Sequence, residues 1–345
     1  MLPSTHALSK VYQGGGVDAA TESRPRAPGQ RREITLTDLQ REHLANVLRH
    51  VEAEIANNVD LIVTTIDDHC RYPLLHRAPD GTLRLEAITD LAGAEAYYRD
   101  MRTGVDITSS HHIRRITTDW YVFNHSAAAM RHVGDVDGMP PTGREYAYES
   151  AVLFPVSAHA IVGEIPWNRY SFPEMVRGIK QPALTDAERV QVELRNLAAH
   201  EAYCNAMISG EVADPGAYLA PRFVSATRNY FSPGAPGLTT AEGEAGFRRQ
   251  VQTLHEAVHV VDAVVVNRIV TSWYVFAELA WRLRARSDAV AIDGEFDVKT
   301  AAIFPLDDGG RMLAELGYGT DMPLLEGREP LMSAPAAAAE ALVAR

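Results

Sequence analysis

Apolar residues at Leu44, Val47, Leu48, Val51 and Ile55 recur every three or four positions, so the spacing predicts an amphipathic helix with one face turned to a surface it must cover. Thr37 stands just before it with Gln40 three residues on, the hydroxyl-and-amide signature of a helix start. A shorter helical stretch, GAEAYYRDM at residues 93–101, comes next. The period then changes. From His111 to Phe123 the chain is rich in Ile, Thr, Trp, Tyr, Val and Phe, and REYAYESAVLFPV at 144–156 continues in that vein, which predicts long strands. Alternation along the first run places Arg115, Tyr121 and Phe123 on one face and Ile116, Trp120 and Val122 on the other. Met139, Pro140 and Pro141 mark a hairpin loop. Helices first and long antiparallel strands afterwards predict an α+β fold in which a curved sheet wraps over its helices.

The same order then comes round again. ITTDWYVF (116–123) returns as IVTSWYVF (269–276), 153 positions on. ESAVLFP, ending at Pro155, returns as KTAAIFP, ending at Pro305, 150 positions on. The helix start at Thr37 returns at Thr185 with Glu188, 148 positions on, and GEAGFRRQV (243–251) parallels GAEAYYRDM. Landmarks in one order at near-constant spacing imply a duplicated unit of roughly 150 residues, the size of one compact domain. The expected organisation is a flexible N-terminal segment (1–32), a first unit (33–178), a second unit (179–327) and an alanine-rich tail (328–345).

Composition narrows the partners. A chain of 345 residues, 46% hydrophobic and 23% charged, is ordinary globular material. Its formal net charge of −12 argues against nucleic acid and against an anionic membrane surface. Two cysteines, Cys70 and Cys204, are too few for a disulfide framework or a thiolate zinc site, so a reducing cytoplasm is expected. No apolar run approaches a membrane span, and the first ten residues lack the hydrophobic stretch of a secretion signal. Gly14, Gly15 and Gly16 follow no strand and make no phosphate cradle. The expected partner is a small apolar or aromatic organic molecule.

Helices, then GAEAYYRDM, then SSHHIRRITTDWYVF and a second long strand ending in LFP resemble the nuclear transport factor 2-like superfamily, particularly its SnoaL-like polyketide cyclase and scytalone dehydratase branches, over about residues 33–325. The resemblance implies two tandem cone-shaped α+β barrels, each with an apolar pocket. Activities in that superfamily include lyases, isomerases, epoxide hydrolases and plain binding modules. The resemblance also casts His111, on the first long strand, as general base or acid, with Asp67 or Asp68 of TTIDDHCRY holding its ring in one tautomer. Tyr72, His69, Arg115, Tyr121 and Tyr148 are the candidate substrate-binding residues. In one respect the chain departs from the dehydratase branch: the tyrosine and aspartate carried there on the first helix have no evident counterpart in HLANVLRHVEAEIANNVD. Shifting His111 by 153 gives Val264, which confines the expected chemistry to the first unit. The second then serves as a pairing surface in an internal pseudo-dimer, although Tyr203 and Asn205 could line a pocket of its own. Neither a metal nor an organic cofactor is expected.

One motif points elsewhere. His255-Glu256-Ala257-Val258-His259 spells the HExxH of zinc peptidases, in which two histidines one helical turn apart hold the metal, and Asp262 could supply a third ligand. The run VHVVDAVVVNRIV (258–270) is dominated by β-branched residues, which predicts a helix ending near His255 and the two histidines on different elements. Two alternatives therefore stand beside a cofactor-independent lyase or isomerase. One is a noncatalytic binding or assembly module, and the other, less favoured, is a zinc peptidase.

Overall fold

Both helix starts read from the sequence close as reciprocal capping boxes. Thr37 accepts from the Gln40 amide while Gln40 accepts from that of Thr37, and Thr185 and Glu188 do the same. Each pair satisfies two otherwise orphaned amides, which stabilises a helix by about 1 kcal/mol. The computed structural model describes residues 36–319, apart from 69, 78–82, 137, 158, 179–182, 229–237 and 287–293. The N-terminal segment and the C-terminal tail expected above lie outside these residues.

From Thr37 the chain forms α1 (Asp38–Ile55), α2 (Val59–Val63), β1 (Tyr72–Arg77), β2 (Leu83–Ile88), α3 (Leu91–Gly104), β3 (Val105–Thr117), β4 (Tyr121–His132), β5 (Glu145–Pro155), β6 (Ile165–Asn168) and the short α4 (Phe172–Val176). It continues with α5 (Asp186–Ser209), β7 (Leu219–Arg228), β8 (Leu238–Glu242), α6 (Gly243–Ala257), β9 (Val258–Val270), β10 (Tyr274–Ala285), β11 (Glu295–Pro305) and β12 (Met312–Gly319). The strands make a β1-β2 hairpin, an antiparallel sheet in the order β3-β4-β5-β6, and a six-stranded sheet in the order β8-β7-β12-β11-β10-β9. Only the β12–β7 pairing of that last sheet is parallel. The fold is α+β with mostly antiparallel sheets.

Several elements recur at fixed distance. Strand β3 opens at Val105 and β9 at Val258, and β4 opens at Tyr121 and β10 at Tyr274, each 153 positions later. The helices follow the same offset: His43 of α1 bonds the Thr118 carbonyl, while Asn196 of α5 donates to that of Thr271. Burial aligns α3 with α6 at 153 as well, since Ala94 and Tyr98 are buried as Phe247 and Val251 are. Matching GAEAYYRDM to GEAGFRRQV by letters misplaces the helices by three residues, about one turn, because one turn of slip keeps the same face inward.

Two sheets meet face to face across the middle of the molecule. Phe123 stacks on Phe276 with ring centroids 4.1 Å apart, and Ile116, Tyr121, Leu153, Ile269, Tyr274 and Ile303 complete a buried apolar layer around them. A buried carboxylate, Glu278, locks one edge: it accepts from Tyr121 Oη at 2.8 Å, Asn267 Nδ2 at 2.5 Å and Trp120 Nε1 at 3.3 Å. Three donors from both sheets satisfy it, as burial of a charge requires.

The facing of the WYVF strand differs from simple alternation. Ile116 pairs across the hairpin with Phe123 and lies in the same layer, whereas Arg115 pairs with Asn124. The alternation breaks at a tight turn, where Thr118 Oγ1 accepts from the amides of Trp120 and Tyr121. A strand periodicity cannot be carried through a reversal. The stripe on α1 also differs: the buried positions are His43, Asn46, Val47, His50 and Ala53, while Ile55 is exposed. Helix α1 turns polar side chains inward because what it covers is itself polar.

Candidate functional site

Residues four apart on one helix share a face, so His50 and Glu54 of α1 point the same way, as do Tyr98 and Arg102 of α3. These two faces converge with Tyr72 from β1, Tyr148 from β5 and Glu164, which directly precedes β6. His50, Tyr98, Tyr72, Arg102 and Glu164 are buried, and Glu54 and Tyr148 are half-buried.

The hydrogen bonds fix much of the proton inventory. Thr65 Oγ1 donates its single proton to the Ile62 carbonyl at 2.6 Å, so it can only accept from His50 Nδ1, 2.6 Å away. His50 Nδ1 therefore carries hydrogen, and Nε2 faces Tyr98 Oη at 3.1 Å. Tyr98 in turn donates to Glu164 Oε2 at 2.5 Å. With the phenol proton directed to Glu164, His50 must be an imidazolium in order to donate to the phenol oxygen. Passing one proton along the chain leaves a neutral histidine and a neutral Glu164. The three side chains thus form a relay with two arrangements of the same protons.

Glu54 stands beside this relay, and its carboxyl accepts no hydrogen bond among the described residues. Burial, together with the negative charge of Glu164, raises its carboxyl from 4.5 to about 7, against the opposing pull of His50 and Arg102. A carboxyl held near neutrality and reached by solvent can take or give a proton at physiological pH. The phenols around it move the other way from reactivity: burial first, and nearby carboxylates second, push Tyr72, Tyr97, Tyr98 and Tyr148 upward, so they stay hydrogen-bond donors.

His50, Glu54 and Glu164 each bring one donor atom within 4.8 Å of the others, the arrangement among the described residues that could hold a metal ion. Tyr98 bears on that fit. Its oxygen bonds both His50 and Glu164, whose nearest atoms are 3.9 Å apart, so a cation taking those lone pairs must first displace the phenol. Next to the cluster lies a cavity of about 380 Å³ lined by Tyr97, Met101, Leu74, Met130, Trp167 and Phe172, among others. Arg77 closes its rim, standing 5.1 Å over the Trp167 ring and pairing with Glu174 of α4 at 3.2 Å.

Of the residues picked out in the sequence, Tyr72 and Tyr148 join the cluster and the others do not. His111 is exposed on β3, paired with Ala127 of β4 through the backbone, and its side chain makes no hydrogen bond or ion pair among the described residues, so none links it to Asp67 or Asp68. Asp68 is exposed, Asp67 is half-buried with its amide bonded to the Ile161 carbonyl, and His69 lies outside the described residues. Arg115 donates to Asn124 at 2.6 Å, and Tyr121 is committed to Glu278 between the sheets. In the HExxH motif, His255 ends on α6 and donates to the Met207 carbonyl at 2.9 Å, while His259 sits on β9 and accepts from Arg286 at 3.0 Å. Those rings belong to different elements and engage different neighbours. The residues missed by sequence reasoning are His50, Glu54, Tyr98, Arg102 and Glu164. The one available signal was a pair of i, i+4 polar couples on the inward side of two helices.

No protein-family model matches the sequence, and no curated protein matches it. Solved structures similar to part of the chain are SnoaL-like polyketide cyclases and nuclear transport factor 2-like and ketosteroid isomerase-like proteins. A candidate SnoaL-like polyketide cyclase from Jannaschia sp. CCS1 is 15% identical, with TM-score 0.35, over 45% of this chain and 100% of its own. A candidate polyketide cyclase from Xanthomonas campestris pv. campestris is 12% identical, with TM-score 0.34, over 41% and 100%. An LEH-like epoxide hydrolase from M. tuberculosis is 14% identical, with TM-score 0.31, over 40% and 92%. At these values the likeness decides nothing about the reaction.

Proposed function

We propose that residues 33–178 form a cone-shaped α+β unit whose pocket carries out proton-transfer chemistry on a small organic molecule, as a lyase or isomerase. Residues 179–327 form a second unit of the same architecture, paired with the first through the Phe123–Phe276 layer as an internal pseudo-dimer. The observation that carries the reaction is the Glu54 carboxyl, poised at about 7, without a hydrogen bond among the described residues and beside a three-residue proton relay. In this reading Glu54 removes a proton from a carbon next to a carbonyl, and the electron pair moves onto the carbonyl oxygen as an enolate. Tyr97 or Tyr148 donates a hydrogen bond to that oxygen. Where a β,γ double bond extends the enolate to a dienolate, the proton from Glu54 returns at its far carbon, which is isomerisation; where a β-hydroxyl is present, the enolate expels it and it leaves with the proton from Glu54 as water. The His50–Tyr98–Glu164 relay resets the charge beside Glu54 between turnovers.

Solvent deuterium exchange into small aromatic ketones, followed by NMR from pH 5 to 9, tests this. The expected result is exchange that rises as Glu54 ionises near pH 7 and falls by about 100-fold or more in Glu54→Gln. Exchange by the wild type that never exceeds that of the variant removes the assignment.

A further inference from the structure

Among the described residues, Arg102 is a buried charge with no counterpart in the hydrogen-bond network. It is 8% exposed, and its Nε, Nη1 and Nη2 are all buried without a hydrogen-bond partner among the described residues. No carboxylate stands within ion-pairing distance of it among those residues, although Glu54 and Tyr148 lie close enough to feel its charge. Arg102 borders an open cleft of about 580 Å³ at the α1–α2 turn, yet its nitrogens are out of solvent. A guanidinium has five N–H donors and cannot give up its charge in a protein, so burying it unpaired is strongly unfavourable. The corresponding position in the other half holds His255, which is satisfied internally by the Met207 carbonyl. An unsatisfied cation is therefore not a requirement of this place in the fold.

Resting on the reading that this pocket is the reaction site, we propose that Arg102 is an anion receptor and that the pocket takes small organic acids. Their carboxylate pairs with the guanidinium, while the apolar part fills the neighbouring 380 Å³ cavity. The cavity meets α3 at Tyr97, Met101 and Thr103, and Thr103 also lines the cleft that Arg102 borders, so a ligand that spans the two lies beside Arg102. Planar carboxylates match the guanidinium fork with two parallel hydrogen bonds. With the Glu54 carboxyl close enough to feel the guanidinium, a monoanion is favoured over a phosphate dianion, because each further negative charge is repelled by that carboxyl. Bound carboxylate also stabilises the protonated form of Glu54, so binding takes up a proton and weakens as pH rises above 7.

Calorimetric titration of the full chain with 2-naphthoate and its neutral isostere 2-naphthamide tests the proposal. Wild type should prefer the acid by about ten-fold or more, Arg102→Gln should bind both within about two-fold, and Arg102→Lys should keep part of the preference. Arg102→Gln should melt no lower than wild type, because it removes an unpaired buried charge, so a lost preference cannot be put down to unfolding. Equal binding of acid and amide to wild type, an undiminished preference in Arg102→Gln, no binding of either probe at millimolar concentration, or chloride competing as well as naphthoate each overturns it. Glu54→Gln separates this from the reaction itself: the preference for the acid persists there while deuterium exchange is lost. A preserved acid preference with no exchange in wild type sinks the proton-transfer reading alone.

Discussion

Positions 153 apart in the two halves of the chain carry opposite materials. Taking the 153-residue offset, His50 corresponds to Tyr203, Glu54 to Met207, Tyr98 to Val251 and Tyr72 to Ser225. Strand register matches Glu164 with Glu315, since Ile165 pairs with Leu153 as Leu316 does with Ile303. The carboxylate survives in the C-terminal half, but it is clamped by Ser225 at 2.7 Å and Gln250 at 3.4 Å. Around it Tyr203, Met207, Phe247, Val251 and Phe304 close into one apolar core. His200, one turn before Cys204, is neutral there, its ring lowered from 6.5 to about 3 by burial, and burial raises the Cys204 thiol to about 12. At these positions the C-terminal half places apolar packing, and the N-terminal half places an imidazole, a carboxyl and a guanidinium. Stability and chemistry compete for the same few cubic ångströms.

Exchanging residues between the halves probes that contrast most sharply. Glu54→Met, the residue of the C-terminal half, should abolish deuterium exchange in the N-terminal pocket. The reverse change, Met207→Glu, should create no activity and should cost roughly 3–5 kcal/mol in denaturant unfolding, because it puts a carboxyl into the apolar core around Tyr203, Phe247 and Val251. Met207→Glu unfolding at the wild-type midpoint would break the comparison. At the shared layer, Phe123→Ala and Phe276→Ala should each cost about 3–5 kcal/mol. Because the rings stack on each other, the double variant should lose about 0.5–1.5 kcal/mol less than the two single losses combined, and strict additivity would mean that the sheets do not rely on one another.

Smaller effects lie in the pH dependence. Folded Glu54 holds its proton up to about pH 7, whereas the unfolded chain releases it near 4.5, so stability falls as pH rises through that window. Glu54→Gln should therefore melt a few degrees higher than wild type at pH 8 and close to it at pH 5, and equal shifts at both values would contradict the burial argument. Glu149 behaves oppositely. The His125 hydrogen bond first, and the Arg169 ion pair with it, lower its carboxyl to about 2, so its contribution is present above 4.5 and lost as pH falls toward 2. Because Glu149 keeps 32% side-chain exposure, solvent screening limits that contribution to about 1 kcal/mol. Glu149→Gln should flatten the acid limb of the melting curve by that much.

Legibility from the sequence was uneven, for reasons that can be traced to particular residues. The capping boxes at Thr37 and Thr185 and the strands at WYVF depend on neighbours within a few positions, and these were readable. Tyr148 and Tyr72, expected from the sequence to bind substrate, lie in the pocket cluster. His111, to which only the resemblance gives a role, sits on an exposed stretch of β3. His50 and Glu54 passed as the polar side of an amphipathic helix, because hydrophobic periodicity assumes that the covered surface is apolar. Here the covered surface holds Tyr98, Arg102 and Glu164, all more than forty positions away in sequence.

What the sequence determined by itself is the local program: where helices start, where strands run and that the order recurs. Those features are set by dihedral preference, capping and alternation, all of which act over a few residues. Only the tertiary structure decided which polar residues meet. A proton relay requires atoms about 3 Å apart drawn from α1, α3 and the approach to β6, and only packing sets such distances. Burial, which moves Glu54 to about 7 and leaves the Arg102 guanidinium without a hydrogen-bond partner among the described residues, is likewise a property of the assembled interior and of no single segment.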